Sequence, residues 1–244
     1  IAVKAVCSSD PGEVAGINDR IELAEANQWM QQKINRDWMK KGVTILDPNT
    51  TYIGKEVEIG QDCVIYPNCH LEGNTVIGEN TVLLPNCFLV NAKIGHDCTI
   101  DNSRITDSEV KNECTVGPWA HLRMNCVVED KNRIGNFVEF KKTKFGFDSR
   151  CAHLTYLGDS EIGSKVNIGC GVVTVNYDGL NKYKTVVKDN AFIGSNVNLI
   201  APITVGENTV VAAGSTVNQD VEDGDMAIAR NRQEVKKGFG AKYT

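Results

Sequence analysis

From Pro48 onward the hydrophobic positions of the chain fall into a six-residue rhythm, opening with IGQDCV, IYPNCH, LEGNTV, IGENTV and LLPNCF and closing near VGENTV and VAAGST. An aliphatic residue starts each unit. Gly, Asn or Asp fills the second to fourth positions, and a small Cys, Thr or Val takes the fifth. Neither the period of a helix nor the alternation of an ordinary strand returns Ile, Leu or Val followed by Gly at every sixth residue. Short strands joined by tight corners do return it. The aliphatic side chain then points inward each time, Gly, Asn and Asp meet the unusual backbone angles of the corners, and the small fifth residue fits beside the stacked aliphatics. Three units close one triangular coil, so the fold class is expected to be all-β, a parallel β-helix with sequence for roughly nine coils between Ile59 and about Asp220. The flat faces of such a solenoid suit side-by-side association, as in a trimer.

Ahead of the repeats, GINDRIELAEANQWMQQKINRDWMKKG (16–42) predicts one long amphipathic helix. Asn18 supplies its cap, Leu23, Met30, Ile34 and Trp38 fall near one face, and Lys40 and Lys41 precede Gly42 at its end. The indole and thioether groups are expected to pack on a neighbouring element. The chain thus divides into an N-terminal piece (1–17), the helix and linker (18–48), the β-helix (49–222) and a tail (223–244). It opens on Ile1, which reads as part of something longer.

Function is expected where the rhythm slips, and it slips three times: over 121–150, over the stretch that begins CAHLTYLG at 151, and over VNYDGLNKYKT (175–185), too long and too polar for a corner. Arg123, Lys141, Lys142, Tyr156, Tyr177, Lys182 and Tyr183 collect there. A guanidinium fork and ammonium charges suit a phosphate, and tyrosines bind hydroxyls or stack. Taken singly, each Lys or Arg also reads as solvated surface. His153 has a side chain that exchanges a proton near neutrality, which suits a general base, and Glu139 falls on a nearby coil where a carboxylate orients an imidazole. A lone histidine equally serves structure.

Composition narrows the class. With 244 residues, 41% hydrophobic and 23% charged, the chain reads as globular rather than disordered or fibrous. Its 26 basic against 31 acidic residues, a net charge of -5, argue against a general nucleic-acid binder, so phosphate recognition must be local. No stretch approaches a membrane span, and residues 1–20 lack the basic start and apolar run of a signal peptide, which makes the cytoplasm the default compartment. Cys63, Cys69, Cys87, Cys98 and Cys114 recur inside the six-residue units and no CxxC occurs, so the nine cysteines are expected to be reduced fillers rather than disulfides or a thiolate zinc site.

The units resemble the hexapeptide repeats of the left-handed parallel β-helix. The left-handed sense is what the resemblance implies, since the general crossover rule gives the other hand. More specifically, GPWAHLR, IGNFVEFKK, AHLTYLGDSEIGSKVNIGCG, VNYDGLNKYKT, FIGSNVNLIAP and VVAAGSTV are similar, in order and spacing over about residues 13–235, to the acetyltransferase domain of a bacterial bifunctional family. Its members combine glucosamine-1-phosphate N-acetyltransferase with N-acetylglucosamine-1-phosphate uridyltransferase activity. The resemblance implies transfer of the acetyl group of acetyl-CoA to the amine of glucosamine 1-phosphate, towards UDP-N-acetylglucosamine and the cell wall, by a cytoplasmic homotrimer with sites between subunits. It implies His153 as the base, Arg123 and Lys141 as ligands of the sugar phosphate, and Tyr156, Asn167 and Lys182 around the same sugar. Asn176, Tyr177, Ser195, Ala213 and Arg230 match acetyl-CoA contacts. Cys170, near the thioester, stands where alanine is common, and Met124 where proline is usual.

A thioester needs no metal to activate it, whereas the protonated amine needs a base and the oxyanion a donor, either Ser195 or a backbone amide. Residues 1–17 correspond to the end of the uridyltransferase domain, and Asn18 matches a magnesium ligand of that domain. Without its aspartate partner Asn18 is expected to hold no metal, and the chain to show no uridyltransferase activity. Other readings are a zinc hydratase using some of His70, His96, His121 and His153, a non-catalytic scaffold, and an acyltransferase with another acceptor.

Overall fold

The six-residue units fold as their composition dictates. Ile59, Ile65, Leu71, Ile77 and Leu83 open successive units and are buried, as are Cys63, Cys69, Thr75, Thr81 and Cys87 at the fifth positions. The fourth position turns the corner: Asp62, Asn68, Asn80 and Asn86 have φ of 58°, 62°, 56° and 65°, the left-handed region that Asn and Asp tolerate. Glycine at the second position answers a different need. A Cβ on Gly60 would stand 2.5 Å from the backbone nitrogen of Glu79 on the next coil, so coils stack at ladder spacing only if that position carries hydrogen.

The computed structural model, which describes residues 2–7 and 10–242, is a parallel β-solenoid with one α-helix. One face is a nine-stranded sheet running from Glu58–Ile59 to Ile203–Val205, and the other two faces merge into a nineteen-stranded sheet. They merge because two nine-residue strands, Arg133–Lys141 and Arg150–Gly158, run through the corner and pair on both sides of it, Asn136 opposite His153 and Glu139 opposite Tyr156. The first rung, Thr44–Ile45, and the last, Met226–Ala227, lie outside the span 49–222 that the repeats suggested. Val43 and Ile45 are buried in the first coil, although they read as linker.

Only one of the three slips inserts chain. Ile134, Cys151 and Ile168 follow one another in the ladder at the spacing of an ordinary coil, so the first two slips are tight corners rather than loops. The excess lies between Ile168 and its partner Ile193, where a loop leaves the coil, closed by an antiparallel bridge from Tyr177 to Lys182. Asp178 Oδ1 accepts from the amides of Leu180 and Asn181 at 2.8 and 2.6 Å, which fixes the turn.

The helix is Arg20–Lys40, and its cap is Asp19 rather than Asn18. Asp19 Oδ1 accepts from the amides of Ile21 and Glu22 at 2.8 and 2.9 Å, and a carboxylate also favours the positive end of the helix dipole. Ile34 and Trp38 lean on the core, whereas Leu23 and Met30 remain exposed, so the expected apolar face is used only in its second half. The rest of the attachment is polar. Fully buried Asn35 donates to the carbonyls of Pro48 and Thr51, both at 2.9 Å, and Gln31 reaches the carbonyl of Asn49 at 3.1 Å. Among the described residues no helix is long and apolar enough to cross a membrane.

Candidate functional site

His153 stands on the corner between the two merged faces, and its exposed ring makes no hydrogen bond among the described residues. Cys170, Ser195 and Ala213 take the same corner on successive coils, each two residues past the ladder partners Ile168, Ile193 and Val211. The backbone ladder continues there, from Asn196 N to Cys170 O at 2.7 Å and from Gly214 N to Ser195 O at 2.8 Å. Arg230 completes the column, its Cδ 3.8 Å from where a Cβ on Gly214 would lie. Gly169 and Gly194 keep these coils close, since a Cβ on either would stand 2.6 Å from Ser195 N or 2.5 Å from Ala213 N. The column is a shallow track, about 4.8 Å per coil, leading away from the imidazole.

On the other side of His153 the site is polar. Arg123 and Lys141 are opposite one another, and Lys141 is opposite Gly158. Arg123 Nε and Nη2 both donate to Glu139 Oε1, at 2.8 and 2.7 Å. Glu139 therefore does not orient His153, as the sequence suggested. It faces Tyr156, three residues along the strand from His153 and beyond the corner, and the guanidinium has claimed it.

Lys141 Nζ donates to Asp159 Oδ2 at 2.9 Å, with side chains only 7% and 12% exposed. The same oxygen accepts from Asn176 Nδ2 at 2.5 Å, and Lys142 Nζ lies 3.9 Å from Oδ1. Gly158 makes room for the cluster, because a Cβ there would collide with the Tyr156 hydroxyl and the Asn176 amide. Lys182 approaches from the loop, and the pairing with it, together with the hydrogen bond and charge of Asp159, holds the Lys141 ammonium above the usual lysine range against burial. The same contact, with the charge of Lys141 behind it, pushes Lys182 down. Burial pushes the Asp159 carboxyl up, but the hydrogen bonds from Lys141 and Asn176 and the lysine charges outweigh it, so the group lies below the usual carboxylate range. Beside this cluster Lys142, Lys144, Asp159, Glu161, Lys182 and Lys184 line a cavity of about 410 Å³.

The structure thus brings together Tyr156, Lys141, Lys182 and Asn176, and separately His153, Cys170, Ser195, Ala213 and Arg230. Tyr177 is exposed at the root of the loop, its hydroxyl donating to the Gly179 carbonyl at 2.6 Å. Asn167 lies apart, on the adjoining face between Arg150 and Phe192. His70 stacks on Tyr52 at 4.7 Å, His96 hydrogen-bonds Asp97 at 2.6 Å, and burial lowers the His121 pKa. Among the described residues no three His, Cys, Asp or Glu side chains converge as a metal site would need, and Asn18 directs its backbone amide to Glu22 Oε2 at 2.5 Å.

Two features escaped the sequence. Asp159 has φ 48° and looks there like any corner aspartate. Next to His153, Trp119, Phe137 and Leu154 take the left-handed corner that Asn68 and Asn86 hold on earlier coils, with φ of 57°, 56° and 40°. They are 51%, 57% and 60% exposed, and the Trp119 and Phe137 rings stack at 4.9 Å. Bulky side chains in this strained conformation, left open to solvent, point to a functional surface.

Residues 47–145 match the family described as the GMPPB C-terminal domain, and residues 184–219 match the bacterial transferase hexapeptide (six repeats). The bifunctional protein GlmU of Exiguobacterium sibiricum is 50% identical over 237 residues, 97% of this chain and 53% of that protein. The bifunctional protein GlmU of a Geobacillus species is 52% identical over 227 residues, 93% of this chain and 50% of that protein. Among solved structures, a Francisella novicida UDP-N-acetylglucosamine acyltransferase superposes with a TM-score of 0.49 at 21% identity, covering 76% of this chain and 67% of that one. The chain spans about half the length of the curated relatives it matches. With half its residues shared along nearly all of its own length, and with the six-residue units and their corners in place, the chain is a homologue of the bifunctional GlmU proteins over the part that it spans.

Proposed function

We propose that this chain transfers the acetyl group of acetyl-CoA to the amine of glucosamine 1-phosphate, forming N-acetylglucosamine 1-phosphate for UDP-N-acetylglucosamine and cell-wall synthesis in the cytoplasm. The observation that carries the reading is the surplus of ammonium groups on the two long strands that also carry Glu139 and His153 and on the loop that follows. Lys141 and Lys142 lie 2.9 and 3.9 Å from the carboxylate of Asp159 and Lys182 lines the same cavity, so the ammonium groups outnumber that carboxylate and call for a further anion, which a sugar phosphate supplies. Arg123 adds a guanidinium in register with Lys141, and Tyr156 adds a hydroxyl for the sugar.

His153 takes a proton from the sugar ammonium, and the freed lone pair attacks the thioester carbonyl. The tetrahedral oxyanion, held by Ser195 or a backbone amide of its corner, collapses to the amide and expels the CoA thiolate, which leaves with a proton. The column from Cys170 through Ser195 and Ala213 to Arg230 accommodates the extended arm of acetyl-CoA, and Asn176 and Tyr177 of the loop, which match further contacts of the donor, lie apart from that column within one chain. The working form is a homotrimer. In its favour, the apolar ridge of Trp119, Phe137 and Leu154 lies open beside an unpartnered His153, and Asn167 lies on a face from which it serves a neighbour's site rather than its own.

The test is incubation of the purified chain with acetyl-CoA and either glucosamine 1-phosphate or glucosamine, with the product read by mass spectrometry and the molar mass by light scattering. Acetylation of the phosphorylated sugar alone is expected, with His153→Ala lowering the rate by around 10²- to 10⁴-fold in an unchanged assembly. A folded trimer inert towards both sugars defeats the reading.

A further inference from the structure

We propose that Asp159 is a positioning residue of the acetyl transfer, holding a lysine of the acceptor site and an asparagine of the donor site with a single carboxylate oxygen. The inference rests on the acetyltransferase reading above and deepens it. Oδ2 accepts from Lys141 Nζ at 2.9 Å and from Asn176 Nδ2 at 2.5 Å.

The carboxylate is itself fixed from both sides. Its backbone amide donates to the Lys141 carbonyl at 2.9 Å, and its carbonyl accepts from Thr185 N at 3.3 Å where the chain returns from the loop. Asp159 is thereby tied to the strand that carries Lys141 and to the end of the loop that carries Lys182. Lys141, with its side chain 7% exposed, has little water to solvate it and needs a counter-charge. Without Asp159 its ammonium would be left with the charges of Lys142 and Lys182 and no counter-charge, and would swing out or lose its proton. Asn176, freed of the same oxygen, would no longer be aimed.

The opposite role is also physically defined. A carboxylate beside a phosphate site can act only as a competitor for the lysines, and then its removal would improve sugar binding. The two roles differ in the sign of the effect.

Asp159→Asn preserves the left-handed corner, which asparagine tolerates, and removes the charge. A charge-assisted hydrogen bond lost from a nearly buried lysine is expected to raise KM for glucosamine 1-phosphate about tenfold or more, with a smaller rise for acetyl-CoA and kcat within about threefold. A purely structural role would instead lower the melting temperature and kcat and leave both KM values alone. If Asp159 acts through Lys141, then Lys141→Met with Asp159→Asn raises the sugar KM no more than about twofold above Lys141→Met alone. That double variant removes both charges and strands neither, so it decides the matter even where Asp159→Asn does not fold. A sugar KM that is unchanged or lower in Asp159→Asn, or a double variant a further tenfold weaker than Lys141→Met, overturns the proposal. Absence of turnover in the unaltered chain would instead mark failure of the acetyltransferase reading.

Discussion

Gly194→Ala probes packing and site together. A Cβ on Gly194 would stand 2.5 Å from Ala213 N and 2.8 Å from both Ala213 Cα and Val211 O. All three atoms are backbone and cannot swing aside, so the coils must part by roughly 1 Å to reach ordinary contact. Parting them stretches the ladder bond from Gly194 N to Val211 O, now 2.8 Å. Overpacking of about 1–3 kcal/mol plus about 1 kcal/mol for the weakened bond gives about 2–4 kcal/mol, a melting temperature lower by roughly 5–15 °C.

Gly206→Ala is the control. Its Cβ would meet Asp223 N at 2.5 Å, the same intrusion at a corner away from the His153 column. Calorimetry should show similar losses for the two variants, whereas steady-state kinetics should show KM for acetyl-CoA raised about tenfold or more only in Gly194→Ala, which displaces Ser195 and Ala213. No loss of stability would refute the close-approach argument for these glycines. Equal stability loss with an unmoved acetyl-CoA KM would refute the assignment of the column to the acetyl donor.

Because Glu139 is bound to Arg123, Glu139→Gln should raise the sugar KM with little change in kcat; a loss of kcat as large as that of His153→Ala would restore Glu139 as the partner of the imidazole. Lys182 is pushed below its ordinary value of 10.5 while Lys141 is held above it, so rising pH strips the proton from Lys182 first. The sugar-phosphate KM should therefore climb at alkaline pH, short of that ordinary value, while KM for acetyl-CoA stays level. Lys182→Arg, which keeps its charge, should flatten the climb, and a flat profile in the unaltered chain would remove Lys182 from the phosphate site.

The solenoid was legible because one physical constraint repeats with every unit. A residue that packs inward at Ile59 packs inward again at Ile65 and Leu71, and each repetition confirms the period. The ends of the solenoid and the helix cap had no such repetition behind them. Val43 and Ile45 form a rung without a preceding unit to set their phase, and Asp19 displaced Asn18 as cap because adjacent polar residues compete for the same amides on local geometry alone. The long strands Arg133–Lys141 and Arg150–Gly158 looked like interruptions because pairing continues on both sides of their corner, which keeps bulky Phe137 and Leu154 where the pattern leads one to expect Asn or Gly.

The site was legible in kind but not in grouping. His153, Lys141 and Lys182 declare their chemistry by residue type, yet their relation depends on which residues coincide on neighbouring coils, and a loop between Ile168 and Ile193 shifts that coincidence for everything beyond it. Glu139 illustrates the consequence, since a carboxylate one coil from a histidine was matched to the imidazole when the guanidinium on its own face was nearer. Asp159 illustrates the converse. At a corner where aspartate needs no reason beyond its tolerance of φ 48°, only the folded arrangement reveals a carboxylate nearly buried against Lys141 and Asn176. In a fold whose corners already demand Asp and Asn, a functional carboxylate is hidden by the structural demand it also satisfies, and it is recognised by the surplus of positive charge around it rather than by its own place in the repeat.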